Sequence, residues 1–316
     1  MSGELAGLMR DRPRWTLLIH EKPDGDAAGC GAALASLGGR LGKEVLWTGP
    51  DPIPSRYDFL PLAGKYRPAD RVPGGNEPGT LFLVLDTSEA KRTSGPLPDP
   101  ESGSLVRIDH HPGGEVFGSL DRVDPGASAT AELVFSLFEE GGWVPDRGEA
   151  TALYVALVSD NGNFRFSSTS PASHRIAARL LEAGADPMEI DRRLNDTMTP
   201  GGLRLWGRAL SRIEIFPGGG VLSWVGDSDF GETLSDPADT EGLVNMLLRI
   251  GEARLVLLCT GADGQVRCSV RTRGERSARE FARRHGGGGH ERAAGFSLSL
   301  PLEEALEKLR RALVEP

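Results

Sequence analysis

Cysteine is scarce in this chain: Cys30, Cys259 and Cys268 are all there is, and no two of them form a Cys-x-x-Cys pair. An odd number spread along the sequence fits neither a disulfide framework nor a structural zinc site. Long apolar runs are missing too. Nothing approaches the roughly 18 consecutive apolar residues of a membrane-spanning helix, so no membrane partner is expected. The opening MSGELAGLMRDRPRW is too interrupted by charge for a secretory signal, which makes the cytoplasm the expected compartment. An excess of positive charge is also lacking. The formal net charge is −9, whereas binding along a long duplex draws on a basic stripe that contacts phosphates. Glycine and proline, 42 and 22 of the 316 residues, stay below the share that signals disorder. The chain is therefore read as globular, with length enough for two domains.

What is present in the first two-thirds is an alternation of short apolar runs with helical patterns. Strands are expected at Trp15–His20, Val45–Thr48, Leu81–Leu85 and Leu105–Ile108. Helices are expected from about Ala28 to Gly39 and at Ser128–Glu140, Glu149–Ser159, Ser173–Ala183 and Pro187–Leu194. Continuous apolar strands separated by helices imply an α/β fold, a mainly parallel sheet with helices on both faces. Thr199-Pro200-Gly201-Gly202 reads as a break, which suggests a domain over residues 1–195, a linker or hinge over 196–208 and a second domain over 209–316. The second domain reads as a smaller mixed α/β unit. Ile213–Phe216 and Val221–Val225 flank a Pro-Gly-Gly-Gly hairpin turn. A helix at about Thr240–Ile250 precedes strands Arg254–Thr260 and Val266–Arg271 around the turn Ala262-Asp263-Gly264. Helix Ser277–Arg284, strand Ala293–Leu300 and helix Leu302–Leu313 follow.

Acids and imidazoles recur where the apolar elements of the first domain end. The first strand runs into His20-Glu21-Lys22-Pro23-Asp24-Gly25-Asp26, the third into Asp86, and the fourth into Asp109-His110-His111. Helix 149–159 runs into Asp160-Asn161-Gly162. In an open α/β sheet, ligands bind beyond the carboxyl ends of the strands. One Asp-Gly-Asp segment alone reads equally well as a solvated turn; the same delivery at four elements reads as a site. Carboxylates and imidazoles without thiolate suit Mn²⁺, Mg²⁺ or Fe²⁺. Four Asp and two His exceed the needs of one ion, and two ions sharing a carboxylate clamp both oxygens of a phosphoryl displacement.

These motifs, in this order, resemble the DHH phosphoesterase family, named for the motif that Asp109-His110-His111 matches. The His-x-x-x-Asp-x-Asp segment at His20, the lone Asp86 and the Asp160 segment complete the set. The run Gly286-Gly287-Gly288-Gly289-His290-Glu291-Arg292-Ala293-Ala294-Gly295 resembles the signature of the DHH-associated domain. The resemblance covers nearly the whole chain, and the compact layout is similar to the oligoribonuclease (nanoRNase) and 3′-phosphoadenosine 5′-phosphate (pAp) phosphatase branch. It implies a hydrolase of short single-stranded RNA, linear dinucleotides or pAp, with two Mn²⁺ ions, Mg²⁺, Co²⁺ or Fe²⁺ being alternatives. By the same resemblance His20, Asp24 and Asp86 hold one ion. Asp26, Asp86, His110 and Asp160 hold the second, with Asp86 bridging. Asp109 orients an imidazole, His111 faces the scissile phosphate, and a metal-bridging water supplies the nucleophile.

Between Arg271 and Arg292 stand seven Arg and three Glu, a distribution suited to a small anionic ligand. Arg271 and Arg273 are expected clamps on phosphate or base. Gly287, Gly288, Gly289 and His290 are expected to approach a phosphate through their backbone, and Arg165 is a substrate contact by resemblance. Ser128-Ala129-Thr130 reads either as a helix cap or as a phosphate-binding helix start. Cys30 occupies a position where this branch commonly has Ser, which suggests an oxidation-sensitive site. The cleavage site is expected in a cleft between the domains, with closure at Thr199–Gly202, and a homodimer is expected from the resemblance. Readings that share the metal site are a cyclic or linear dinucleotide phosphodiesterase, a RecJ-type single-strand DNA exonuclease and a pyrophosphatase. A non-catalytic nucleotide sensor that keeps the fold, marked by loss of a metal ligand, is the competing class.

Overall fold

The computed structural model describes residues 3–72, 77–262 and 264–314. They form two compact units that divide between Asp196 and Thr197. The first begins with α1 (Glu4–Asp11), β1 (Arg14–Leu18), α2 (Gly25–Arg40) and β2 (Glu44–Gly49). It continues with β3 (Arg67–Pro68), β4 (Thr80–Leu85), β5 (Leu105–Asp109) and β6 (Leu120–Val123). Four helices end it: α3 (Thr130–Gly141), α4 (Arg147–Asp160), α5 (Pro171–Glu182) and α6 (Pro187–Asn195).

The strands make one sheet in the order β3-β2-β1-β4-β5-β6, and every pair is parallel. The order reverses between β1 and β4, the place where open α/β sheets leave a crevice for ligands. Strands β4 and β5 are buried from end to end, which is why their sequences read as continuous apolar runs. On one face Trp15, Leu17, Leu83 and Ile108 pack in a single core with residues of α2, α3 and α4. On the other, Leu18, Phe82, Val84 and Leu105 meet Phe117, Val72, Ala90 and Leu97. The helical cover thus lies on the first face. Connecting segments cover the second, because among the described residues the chain from β2 to β6 contains no α-helix.

Helix α2 starts at Gly25, three residues before the expected start. Asp24 caps it, accepting from the backbone N–H of Asp26 and Ala27, a strongly favoured N-terminal arrangement. Its small residues let it lie close against α4: a Cβ on Gly29 would fall 2.3 Å from the Ala152 carbonyl oxygen. Strands β3 and β6 escape the sequence reading because one has two residues and the other, Leu-Asp-Arg-Val, is only half-buried.

The second unit runs α7 (Pro200–Ser211), β7 (Glu214–Phe216), β8 (Gly220–Val225), α8 (Asp227–Thr233), α9 (Leu243–Leu247), β9 (Leu255–Ala262) and β10 (Gln265–Thr272). Then come α10 (Ala278–Arg284), β11 (Gly288–Gly289), β12 (Ala293–Leu298) and α11 (Leu302–Val314). Its sheet has the order β11-β12-β10-β9-β8-β7, with β8–β9 parallel and the other pairs antiparallel. The expected hairpin is β7–β8. Residues 196–208, read from the sequence as a linker, are instead largely helical. Thr199 caps α7 by accepting from the Gly202 N–H, and Pro200 takes the first helical position, where its missing N–H costs nothing. The helix expected over Thr240–Ile250 is only the five residues of α9, preceded by a 3₁₀ turn at Pro237–Thr240. Of the turn Ala262-Asp263-Gly264, Asp263 lies outside the described residues. Cys259 and Cys268, nine residues apart, are register partners on β9 and β10 with their sulfurs 3.6 Å apart as free thiols.

Candidate metal centre and active site

The acid and imidazole residues meet at the carboxyl edge of the first sheet. His20 follows β1 by two residues, Asp24 caps α2, and Asp26 is the second residue of that helix. Asp86 follows β4, Asp109 ends β5 with His110 and His111 next in sequence, and Asp160 ends α4. Asp86 adopts a left-handed φ of 60°, which Asp tolerates better than most residues.

His20 Nε2 lies 3.9 Å from Asp24 Oδ1 and 3.6 Å from Asp86 Oδ2. His110 Nε2 lies 3.0 Å from Asp160 Oδ2 and 3.7 Å from Asp86 Oδ1. Three overlapping groups follow, His20–Asp24–Asp86, Asp26–His110–Asp160 and Asp86–His110–His111, in each of which all candidate ligand atoms fall within 4.8 Å of one another. Asp86 approaches an imidazole of each group.

Local hydrogen bonds aim these imidazoles. His20 Nδ1 sits 2.7 Å from the Glu21 carbonyl oxygen, and Nε2 faces the carboxylates. His110 repeats the pattern, with Nδ1 3.3 Å from the Ala127 carbonyl. Although His110 Nε2 and Asp160 are close, they are not in hydrogen-bonding geometry. His110 Nε2, Asp86 Oδ2 and Asp109 Oδ2 are all buried without a hydrogen-bond partner. Such atoms cost free energy unless something satisfies them.

The electrostatics point the same way. Burial pushes Asp26 well above the usual carboxylate range, and repulsion from Asp86, Asp160 and Asp24 adds to it. Burial, with repulsion from Asp86 and Asp160, also raises Asp24. Burial would raise Asp86 as well, but the neighbouring imidazoles of His20, His111 and His110 hold it below the usual value. For His110 burial disfavours the charged ring, yet Asp160 and Asp86 prevail and raise it to about 9. Without cations, protons gather on this cluster; ligands must shed them to bind a metal.

Asp109 and His111 form a separate pair. Asp109 Oδ1 accepts from His111 Nδ1 at 2.7 Å and from the His111 backbone N–H at 3.1 Å. The carboxylate is fully buried and the ring is 41% exposed, so a buried group fixes the orientation of one that solvent or a ligand can reach. The hydrogen bond to Asp109 raises the His111 pKa, against the lowering effect of burial.

The ambiguous Ser128-Ala129-Thr130 segment has a definite role here. Helix α3 has no side-chain cap of its own; Asp26 caps it from α2, accepting from the Thr130 N–H at 2.5 Å and the Ala131 N–H at 3.0 Å. Thr130 Oγ1 donates to Asp86 Oδ1 at 2.9 Å. The helix start therefore holds two of the cluster's carboxylates. Ser128 instead donates to buried Glu132, as does Ser173, each at 2.6 Å. Arg92, 3.2 Å from His20 Nδ1, was given away by no motif. Cys30 corrects an expectation: it is fully buried, donates to Asp26 Oδ1 at 3.3 Å, and burial beside Asp26 pushes its thiol well up. A buried thiol without thiolate character is a poor target for oxidation.

Arg165 is exposed in the turn after α4, its Nε donating to the Gly162 carbonyl at 3.1 Å. Among second-unit candidates, Arg271 lies in β10, half-buried, with Nε donating to Asn245 Oδ1 at 3.1 Å. Arg273 follows β10 and donates to the Leu248 carbonyl. Gly288 and Gly289 are strand β11, paired with Gly295 and Ala294, so the glycine run has a packing reason as well. A Cβ on Gly287 would fall 2.2 Å from the Gly295 carbonyl oxygen, and one on Gly289 2.6 Å from the Ala294 Cα. His290 is exposed just beyond.

Residues 15–157 match the model of the DHH family, N-terminal domain, and residues 230–315 match that of the DHHA1 domain. The chain is 36% identical over 301 residues to the bifunctional oligoribonuclease and PAP phosphatase of Thermus thermophilus, covering 95% of this chain and 89% of that protein. It belongs to the DHH family of phosphoesterases. The Bacillus subtilis protein of the same name is 28% identical, with 90% and 89% covered. A crystal structure of an exopolyphosphatase-related protein from Bacteroides fragilis superposes with a TM-score of 0.81 at 25% identity, covering 98% of this chain and 94% of that one. The parallel sheet and second mixed sheet are thus those of a DHH-family hydrolase. Among the described residues, no helix is long and apolar enough to cross a membrane.

Proposed function

We propose that this phosphoesterase hydrolyses short oligoribonucleotides to mononucleotides and pAp to AMP, using two Mn²⁺ ions held by the acid–histidine cluster. The observation that carries the reading is the pair of buried, unpartnered atoms Asp86 Oδ2 and His110 Nε2 amid converging carboxylates. Their donor set is oxygen and imidazole nitrogen without thiolate, which fits Mn²⁺ and its neighbours Mg²⁺, Co²⁺ and Fe²⁺. His20, Asp24 and Asp86 would hold one ion, and Asp26, Asp86, His110 and Asp160 the other. When bound, two divalent cations supply the charge that polarises a phosphoryl group and acidifies water. The substrate class follows the printed activity of the Thermus thermophilus and Bacillus subtilis relatives.

The chain's own groups supply the rest. Asp109 keeps the proton of His111 on Nδ1 and fixes the ring, so that Nε2 can hold or deliver a proton at the leaving oxygen. The α3 backbone N–H groups hold Asp26 in place, and Thr130 does the same for Asp86. Arg165, Arg271, Arg273, Gly287, Gly288, Gly289 and His290 are the proposed substrate contacts, with guanidinium forks suited to phosphate. The reading extends to a cytoplasmic enzyme and to a homodimer, which light scattering of the purified chain tests.

The deciding assay offers metal-stripped protein pAp, inorganic pyrophosphate and short oligoribonucleotides, with and without Mn²⁺. Mn²⁺-dependent release of mononucleotide or of phosphate from pAp is expected. Metal-loaded, folded protein that turns over none of these substrates, or pyrophosphate alone, overturns the proposal.

A further inference from the structure

A cavity of about 560 Å³ lies within the first unit, lined among others by Arg56, Tyr57, Ser159, Arg165 and Asp191. That volume is in the range of pockets that enclose a small organic ligand. One wall of it is shared with the acid–histidine cluster. Ser159 immediately precedes Asp160. Gly25, between Asp24 and Asp26, packs so tightly there that a Cβ would fall 1.9 Å from Ser159 Oγ and 3.1 Å from the Tyr57 hydroxyl. A ligand in the cavity is therefore a neighbour of any phosphate at the cluster.

The lining is mixed in a way that suits one nucleotide unit. Val158 and Leu194 give apolar surface for a base or ribose. The Asp191 carboxylate accepts hydrogen bonds of the kind that ribose hydroxyls donate. Two guanidiniums, Arg56 and Arg165, provide anion recognition. The Arg56 guanidinium lies over the Tyr57 ring at 5.0 Å, a stacking that pre-orients its planar fork for phosphate. We propose that this cavity receives a ribonucleotide unit of the substrate and that Arg56 pairs with its second, uncleaved phosphate. That phosphate is the 5′-phosphate of pAp or of a 5′-phosphorylated short RNA. Arg56 thereby makes the enzyme prefer substrates with two phosphates over simple phosphate esters. The inference rests on the activity proposed above but concerns a separate pocket.

The test compares wild type with Arg56→Ala and Arg56→Lys, each checked for an unchanged circular dichroism spectrum and melt. Hydrolysis of pAp, of the dinucleotide pApA and of bis(p-nitrophenyl) phosphate is measured with Mn²⁺. The expected result is a KM for pAp and pApA that rises at least tenfold more in Arg56→Ala than the KM for the nitrophenyl ester, with partial recovery in Arg56→Lys. A loss confined to pAp or to pApA identifies which phosphate source the cavity serves. A binding arm needs no turnover. Calorimetry on metal-free protein should show AMP bound at least tenfold tighter than adenosine, a preference that falls below about threefold in Arg56→Ala. Wild type that hydrolyses nothing yet keeps the AMP preference would sink the activity reading and leave the pocket standing. Active wild type whose selectivity and AMP preference are the same in Arg56→Ala overturns the pocket.

Discussion

Asp229 of the second unit and the Asp26 and Asp86 carboxylates of the acid–histidine cluster in the first are all buried, and in opposite ways. In the second unit, buried Asp229 accepts from Arg212 at 2.5 and 2.8 Å, from Arg208 at 3.0 Å and from the Gly226 N–H at 2.9 Å. Burial would raise its pKa, but these donors more than compensate and hold it at about 2. In the first unit, Asp26 is driven up by burial and by neighbouring carboxylates, and Asp86 keeps a buried oxygen without a partner. The chain supplies the counter-charge for Asp229 itself and leaves that for the cluster to come from elsewhere. A buried acid that is satisfied is a structural element; a set of buried acids and imidazoles that is not satisfied is a cation site in waiting.

The sharpest way to break this contrast is at Asp86. Asp86→Ala should lower Mn²⁺-dependent hydrolysis by at least about a thousandfold, roughly 4 kcal/mol of transition-state stabilisation, while the metal-free variant melts no lower than wild type. A variant that retained activity would show that Asp86 is merely structural. Next in size is metal-linked stability. Mn²⁺ at about a hundred times its dissociation constant should stabilise the fold by about 2.7 kcal/mol, a rise of several degrees in melting temperature. The rise should vanish in Asp86→Ala and persist in a variant of the Asp229 pair.

His111→Gln comes third. It should cost about a hundredfold in turnover, the lower end of a general-acid contribution, while Mn²⁺ still raises the melting temperature; loss of metal binding would place His111 among the ligands instead.

The structural acid gives the fourth test. Asp229→Asn should destabilise the fold by about 2 kcal/mol, less than for a fully buried pair because both arginines are partly exposed. Its pH dependence has a definite sign. A folded pKa of about 2 lies below the unfolded value of about 3.9. The stabilisation is then fully present above about pH 4 and is lost as pH falls towards 2. The melting difference between wild type and Asp229→Asn should shrink over that interval, and a difference that stays constant down to pH 2 would refute it. Smallest is Cys30→Ser, which should stay within about 1 kcal/mol by thermal melt, since Ser can still donate to Asp26.

How much of this was legible in the sequence depends on whether the controlling interaction is local. The strands Leu81–Leu85 and Leu105–Ile108 are readable because burial on both faces forces continuous apolar runs. The residues that follow them, Asp86 and Asp109-His110-His111, inherit their place at the sheet edge from that topology. The capping of α3 by Asp26 spans more than a hundred positions, and no local pattern encodes it. Arg92 beside His20, 72 positions away, is equally hidden, whereas Cys259 and Cys268, nine positions apart, pair through the local β9–β10 register. The helical α7 was misread because Pro and Gly usually punctuate, whereas here Thr199-Pro200 is a helix start.

The central claim, that the unsatisfied cluster is a two-cation site, is tested most directly by counting ions. Metal-free protein would be titrated with Mn²⁺ by calorimetry or equilibrium dialysis, alongside Asp86→Ala. The account predicts two Mn²⁺ per wild-type chain and a loss of tight binding for both in the variant, since Asp86 serves the two groups together. Wild type that binds no Mn²⁺, or two ions held as tightly by Asp86→Ala as by wild type, would contradict it.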